Sequence, residues 1–166
     1  MISQKLAEAL NEQIASEFGA SNHYLAIAAY FAKQSLDLWA GFFYRQSEEE
    51  REHGLKILRF LIDNDADLRL PAVGEAGLDF ENAHEAVSSA LESERKVSRQ
   101  FDELAALATK EKDYRGLQFL QWFVSEQVEE EATMGKLVDL TASGINLFQA
   151  QQFLPAPEEQ TSDAPA

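Results

Sequence analysis

The chain contains no cysteine. Disulfides, thiolate metal centres of the rubredoxin type and thiol nucleophiles are therefore excluded. Basic residues are scarce: 14 Lys and Arg stand against 29 Asp and Glu, a formal charge of −15. Nucleic acid needs a basic face for its phosphates, so no nucleic-acid binding is expected. The acidic balance suits cations, and it equally suits a solvated surface that keeps a protein in solution. No apolar run is long enough to span a bilayer, so no membrane insertion is expected. The N-terminus lacks a basic region followed by an apolar core, so no signal peptide is visible and a cytoplasmic location is expected. Proline is rare, and three of the four prolines lie at or after Pro155. Residues 155–166 hold no aromatic residue and read as a disordered tail. Residues 1–154 then form one domain, long enough to bury a real core.

What the chain does have is helical periodicity. Four long stretches carry buried seams at alternating steps of four and three, the spacing of bundle-forming helices. The first helix, about 3–33, has the seam Leu10, Ile14, Glu17, Ser21, Tyr24, Ala28 and Phe31. The second, about 36–65, has Trp39, Phe43, Gln46, Glu50, His53, Ile57 and Phe60. The third, about 82–110, has Ala83, Val87, Ala90, Glu94, Val97, Phe101, Leu104 and Ala108. The fourth, reaching about Ala142, has Leu120, Phe123, Gln127, Glu130, Met134 and Leu137. The connection 34–37 is short and implies antiparallel neighbours, with Ser35 or Asp37 as N-cap. Asp113 is the expected N-cap of the fourth helix, and Gly144 its expected C-terminal stop. Residues 66–82 carry Pro71, Gly74 and Gly77 and break the pattern. At ~3.3 Å per residue that segment reaches roughly 56 Å. A helix of about 28 residues is roughly 42 Å long. The segment can therefore cross the whole bundle and join two helical hairpins. A short fifth helix is expected over 146–154, too short to stand without docking. The expected fold is an all-α four-helix bundle with one long crossover and a short fifth C-terminal helix.

Each seam breaks near its middle, and it breaks with metal-type ligands. Glu17, Glu50, Glu94 and Glu130 fall at the same depth, with His53 and Gln127 beside them. Glu50 and His53 are three apart, so they aim at one point on one helix face. Taken singly, Glu17 fits a hydrogen-bonded seam residue, His53 a satisfied core histidine and Gln127 a buried polar specificity residue. Together they are harder to explain. Burying an ionised carboxylate costs several kcal/mol. Four would consume most of the about 5–15 kcal/mol that stabilises a domain. No Lys or Arg lies on these seams. Two divalent cations would neutralise four carboxylates, and a carboxylate-rich set with one imidazole suits iron, manganese or zinc. Glu49, Glu126 and Glu129 lean to one side of the seam, as a third cation site or as a solvated acidic face. Tyr24 shares the face of Glu17, as a hydrogen-bond partner or electron donor to the site, or as a core tyrosine. His23 and His84 fall off the seams and have no expected role, and Trp122 reads as packing.

This arrangement resembles a ferritin of the non-haem bacterial type over about residues 3–154. The resemblance rests on Glu17 and Tyr24, on Glu49-Glu50-x-x-His53, on Glu94, on Gln-Trp-Phe at 121–123, and on Glu126-Gln127-x-Glu129-Glu130. It implies iron storage inside a shell of 24 subunits, with Fe(II) oxidised by O2 or H2O2. It implies that Glu17, Glu50, His53, Glu94 and Glu130 hold two irons, with Glu50 bridging and Gln127 alongside. It also implies a third iron site at Glu49, Glu126, Glu129 and Glu130. Haem-binding relatives carry a second Glu-x-x-His in the fourth helix, where this chain has Gln127-x-x-Glu130. No haem is expected. Leu117, Leu120 and Gln121 stand where animal ferritins place channel acids, which leaves the route of iron into the shell open. A di-iron oxidase that does not store iron, a mini-ferritin with its site between subunits, and a metal-free acidic bundle are the competing expectations.

Overall fold

The structure is a computed structural model that describes residues 2–156. The sequence expectation of a disordered tail lies, from residue 157 onward, outside the described residues. Four long helices make the bundle: α1 (Gln4–Ala32), α2 (Asp37–Asp63), α3 (Ala83–Lys110) and α4 (Tyr114–Ala142). A single turn, α5 (Leu147–Ala150), follows and tightens into a 3-10 turn over Gln151–Phe153. The described residues contain no strand. No helix among them is long and apolar enough to cross a membrane.

The helix ends follow local chemistry. Ser3 accepts a hydrogen bond from the Leu6 amide, Asn82 from Glu85 and Asp113 from Gly116, each satisfying an orphan donor of a first turn. At α2 the structure departs from expectation. Leu36 occupies the N-cap with no side-chain bond, and Ser35 sits at φ 59° in the turn itself. Closing the α1–α2 hairpin requires one left-handed residue there, and Ser35 spends its backbone on the turn rather than its hydroxyl on the cap. Gly144, at φ 77°, follows the C-cap Ser143 and ends α4. The fifth helix forms where expected: Asn146 caps α5, the helical segment runs on through the 3-10 turn to Phe153, Leu147 and Leu154 pack on the apolar cluster beneath, and Trp39 donates to the Leu147 carbonyl.

Residues 66–82 run from the foot of α2 to the head of α3 as one irregular crossover. Asn11 on α1 anchors its start, donating to the Asp67 carbonyl at 2.9 Å and accepting from the Arg69 amide at 2.6 Å. Phe80 anchors its end edge-on to Tyr30. Within each hairpin the helices are antiparallel, and α1 also packs on α3.

The core is split in two. Tyr24, Phe31, Trp39, Phe43, Val87 and Met134 belong to one apolar cluster. Leu10, Ile14, Ile57, Phe101, Leu120 and Phe123 belong to the other. The two clusters occupy opposite ends of the bundle, and between them lies a belt of buried polar side chains from all four helices. Every expected seam residue is buried except Phe60, which is half-buried and stacked on Phe119 at 3.8 Å. Gly54 lets α1 approach: a Cβ there would come within 2.7 Å of the Phe18 ring. That close fit offsets the roughly 1 kcal/mol that a mid-helix glycine loses against alanine.

Candidate metal centre

The polar belt is built one residue per turn. Glu17 comes from α1, Glu50 and His53 from α2, Glu94 from α3, and Gln127 and Glu130 from α4. All six are buried, and Glu17, Glu50 and Glu94 are wholly inaccessible. His53 Nδ1 stands 3.5 Å from Glu17 Oε2 and 3.5 Å from Glu50 Oε2. Glu17, Glu50 and His53 each offer one ligand atom within 4.8 Å of the others, which makes them a candidate metal-holding group.

Among the described residues, five buried side-chain atoms have no hydrogen-bond partner: Glu17 Oε2, both carboxylate oxygens of Glu50, His53 Nδ1 and Gln127 Oε1. Leaving a buried polar atom unsatisfied costs about 1–3 kcal/mol. Here the unsatisfied atoms are clustered, and four of the five are metal-ligand types. That is the pattern of a site shaped for a cation rather than of a packing defect.

The remaining carboxylates are held rather than bare. Tyr24 donates its hydroxyl to Glu94 Oε1, and Gln127 donates to Glu94 Oε2 at 3.0 Å. Gln46 donates to Glu130 Oε2 at 2.9 Å, and Gln13 donates to Glu17 Oε1 at 2.6 Å. Glu94 and Glu130 thus lie in the belt but outside the tight trio. Charge still links them, since Glu94 feels Glu17 and His53, and Glu130 feels Glu94 and His53.

Electrostatics follow from burial. Removal from water pushes the Glu50 carboxyl well above the ordinary carboxylate range and raises Glu94. Burial likewise pushes Glu130 to about 8. For His53 burial works downward, but the adjoining Glu17 and Glu50 carboxylates outweigh it and bring the imidazole to about 11. Burial, then the negative charge of Glu94, lifts the Tyr24 hydroxyl well above 10. Without metal, Glu130 and His53 retain their protons at neutral pH.

Glu49, Glu126 and Glu129 do not join the belt. They line a groove of about 1030 Å³ between α2 and α4, with Glu130 on its floor. Gln46 and Gln13 are the functional neighbours that sequence reasoning passed over. Gln46 breaks the α2 seam just as Gln127 breaks that of α4, and Gln13 precedes Glu17 by one helical turn, so both left a signal. Trp122, read from sequence as packing and as part of the Gln-Trp-Phe motif, sits edge-on to His53, ring centroids 5.3 Å apart. His84 bonds Thr141 at the surface. His23 bonds Ser89 away from the belt, with burial lowering its basicity.

Comparison with known proteins decides the family. The sequence matches the family described as "Ferritin-like domain" over residues 7–143. The chain belongs to the ferritin family of iron-storage proteins. Ferritin BfrB of Mycobacterium tuberculosis is 40% identical over 146 residues, covering 87% of this chain and 81% of that one. The bacterial non-heme ferritin of Staphylococcus aureus is 42% identical over 132 residues, 80% of each chain. Among solved structures, the open pore ferritin of Archaeoglobus fulgidus superposes with a TM-score of 0.89 at 33% identity, covering 95% of this chain and all (100%) of that one. A humanized archaeal ferritin gives a TM-score of 0.91 at 31% identity, with coverage of 96% and 100%. The all-α bundle with its crossover is therefore a ferritin fold, as the seams imply.

Proposed function

We propose that this chain is a ferroxidase subunit that oxidises Fe(II) in its polar belt and passes the product to a stored ferric mineral. The clustered orphan atoms of Glu17, Glu50 and His53 carry this reading. Glu17, Glu50, His53, Glu94 and Glu130 take two Fe(II) ions as substrate, with Glu50, both of whose oxygens are free of hydrogen bonds, shared between them. Gln127 flanks the pair. Tyr24 fixes Glu94 through its hydroxyl. Each ion gives up one electron. Dioxygen accepts two electrons and two protons and leaves as hydrogen peroxide; alternatively, hydrogen peroxide accepts two of each and leaves as two waters. With one imidazole in place of two, fewer nitrogen ligands hold the product iron, and hydrolysis of the ferric ion draws it toward the mineral. The groove acids Glu49, Glu126 and Glu129 take a third ion on its way out. Residues 1–154 are the working domain, with 155–166 outside it. The family and the fold support assembly into a shell, here taken as 24 subunits in the cytoplasm, and Gln127-x-x-Glu130 in place of a second Glu-x-x-His supports a shell without haem.

Two measurements test this. Glu50→Ala is expected to abolish the fast phase of Fe(II) oxidation in stopped flow, while Glu49→Ala spares it. Wild-type rates in Glu50→Ala would refute the site. Size exclusion after Fe(II) loading in air is expected to yield a large species holding far more iron than its ligand sets can bind. A small species with a few irons per chain would refute storage.

A further inference from the structure

The groove between α2 and α4 is not uniformly acidic. Lys56 lines it together with Glu49, Glu126 and Glu129. The Lys56 ammonium lies 3.4 Å from the centroid of the Trp122 ring, a cation–π contact; partial burial there lowers its basicity, and the charge of Glu126 acts against that loss. Trp122 also stands nearly perpendicular to the His53 imidazole, ring centroids 5.3 Å apart, so the indole touches both the groove ammonium and the belt imidazole. Lys56 is three residues after His53 on the same helix, so its backbone is as fixed as the site itself. Three arginines also line the groove: Arg45 lies over Phe42 and donates to the Pro155 carbonyl at 3.4 Å, Arg59 pairs with Glu52 at 3.7 Å, and Arg51 is exposed. Lys56 differs from them in sitting against Trp122 within the field of Glu126.

We propose that Lys56 is a tethered counter-cation of the groove, whose ammonium sets how tightly Glu49, Glu126 and Glu129 hold a multivalent cation. The proposal rests on the reading that the groove takes a third ion. With the ammonium in place, Glu126 is partly neutralised before any ion arrives. An incoming cation meets both a spent carboxylate and a like charge. Binding is weakened, and the ion moves on rather than lodging beside the belt. Removing the charge deepens the groove as a cation trap.

The test is a Tb(III) titration of the full-length protein, read by Tb(III) emission sensitised through tryptophan. The groove step is identified as the binding step lost in Glu126→Gln/Glu129→Gln. Lys56→Met keeps the aliphatic stem over Trp122 and deletes only the charge, whereas Lys56→Arg keeps the charge. Loss of one positive charge beside a bound trivalent ion in a half-exposed groove tightens the groove step roughly three- to tenfold. Lys56→Met is expected to show that gain, reduced by added salt, with Lys56→Arg at the wild-type value. A purely structural role for Lys56 would weaken binding or change nothing, and either result overturns the proposal. If Lys56→Met binds as wild type while the double glutamine variant loses the step, the groove reading survives and the role of Lys56 does not. If the double variant loses no step, the groove reading fails, and the proposal with it.

Discussion

Replacing Glu50 by methionine should make the metal-free protein more stable while ending its iron chemistry. Glu50 is wholly buried, and neither of its carboxylate oxygens has a hydrogen-bond partner. Two unsatisfied atoms at about 1–3 kcal/mol each destabilise the metal-free state by roughly 2–6 kcal/mol. The side chain gives something back through His53, 3.5 Å away, but His53 keeps Glu17 at the same distance. Setting about 1 kcal/mol against the loss of that contact leaves a net gain of roughly 3 kcal/mol. Methionine is unbranched, close in volume, and adapts to irregular space. For a chain of this length, the gain raises the midpoint by roughly 6–12 °C. The assay is thermal unfolding of chelator-treated protein, followed by circular dichroism. The same samples with Zn(II) added should reverse the order, because metal stabilises the wild type by mass action and finds no bridging ligand in the variant. A Glu50→Met protein less stable than wild type in chelator would refute the claim that the belt stores instability for a metal to relieve.

Two further predictions come from the same belt. Stability of the metal-free protein should fall as pH rises. Glu130 holds its proton to about 8 in the folded chain but to only 4.5 when unfolded, so the folded state binds more protons across that window. The contribution is fully present below about 4.5, is lost as pH passes 8, and spans roughly 5 kcal/mol. His53, raised to about 11, acts in the same direction from 6.5 upward. Urea midpoints that rose from pH 5.5 to 8.5 in chelator would contradict this. Tyr24→Phe keeps the stacking on Phe43 but removes the hydroxyl from Glu94, leaving that carboxylate on Gln127 alone. It should cost about 1–3 kcal/mol in urea melts of chelated protein, and an unchanged midpoint would show that the bond has no net value.

Periodicity made most of this legible in the sequence. Four seams at steps of four and three placed Glu17, Glu50, His53, Glu94, Gln127 and Glu130 inside, and all six are buried. Spacing along a helix fixes a face but not the neighbour across the interface. Gln46 was therefore visible as a break in its seam, while its bond to Glu130 was not. The same limit hid Trp122, whose contacts with His53 and Lys56 exist only once α2 and α4 are laid side by side. The α2 cap was misjudged for a related reason. Ser35 was taken up by the backbone demand of the turn.

Three of the four belt carboxylates accept one bond from an amide, Gln13 on Glu17, Gln46 on Glu130 and Gln127 on Glu94, and Tyr24 adds a hydroxyl on Glu94. A glutamine N–H does not titrate, so it donates the same bond whether the site is protonated, loaded with ferrous ion or left with ferric product. The ligand frame is thereby templated by groups indifferent to charge. Under the proposed function, a change of oxidation state would then ask for little rearrangement of these three contacts, and a site that passes its iron on gains speed from contacts that do not respond to what they hold.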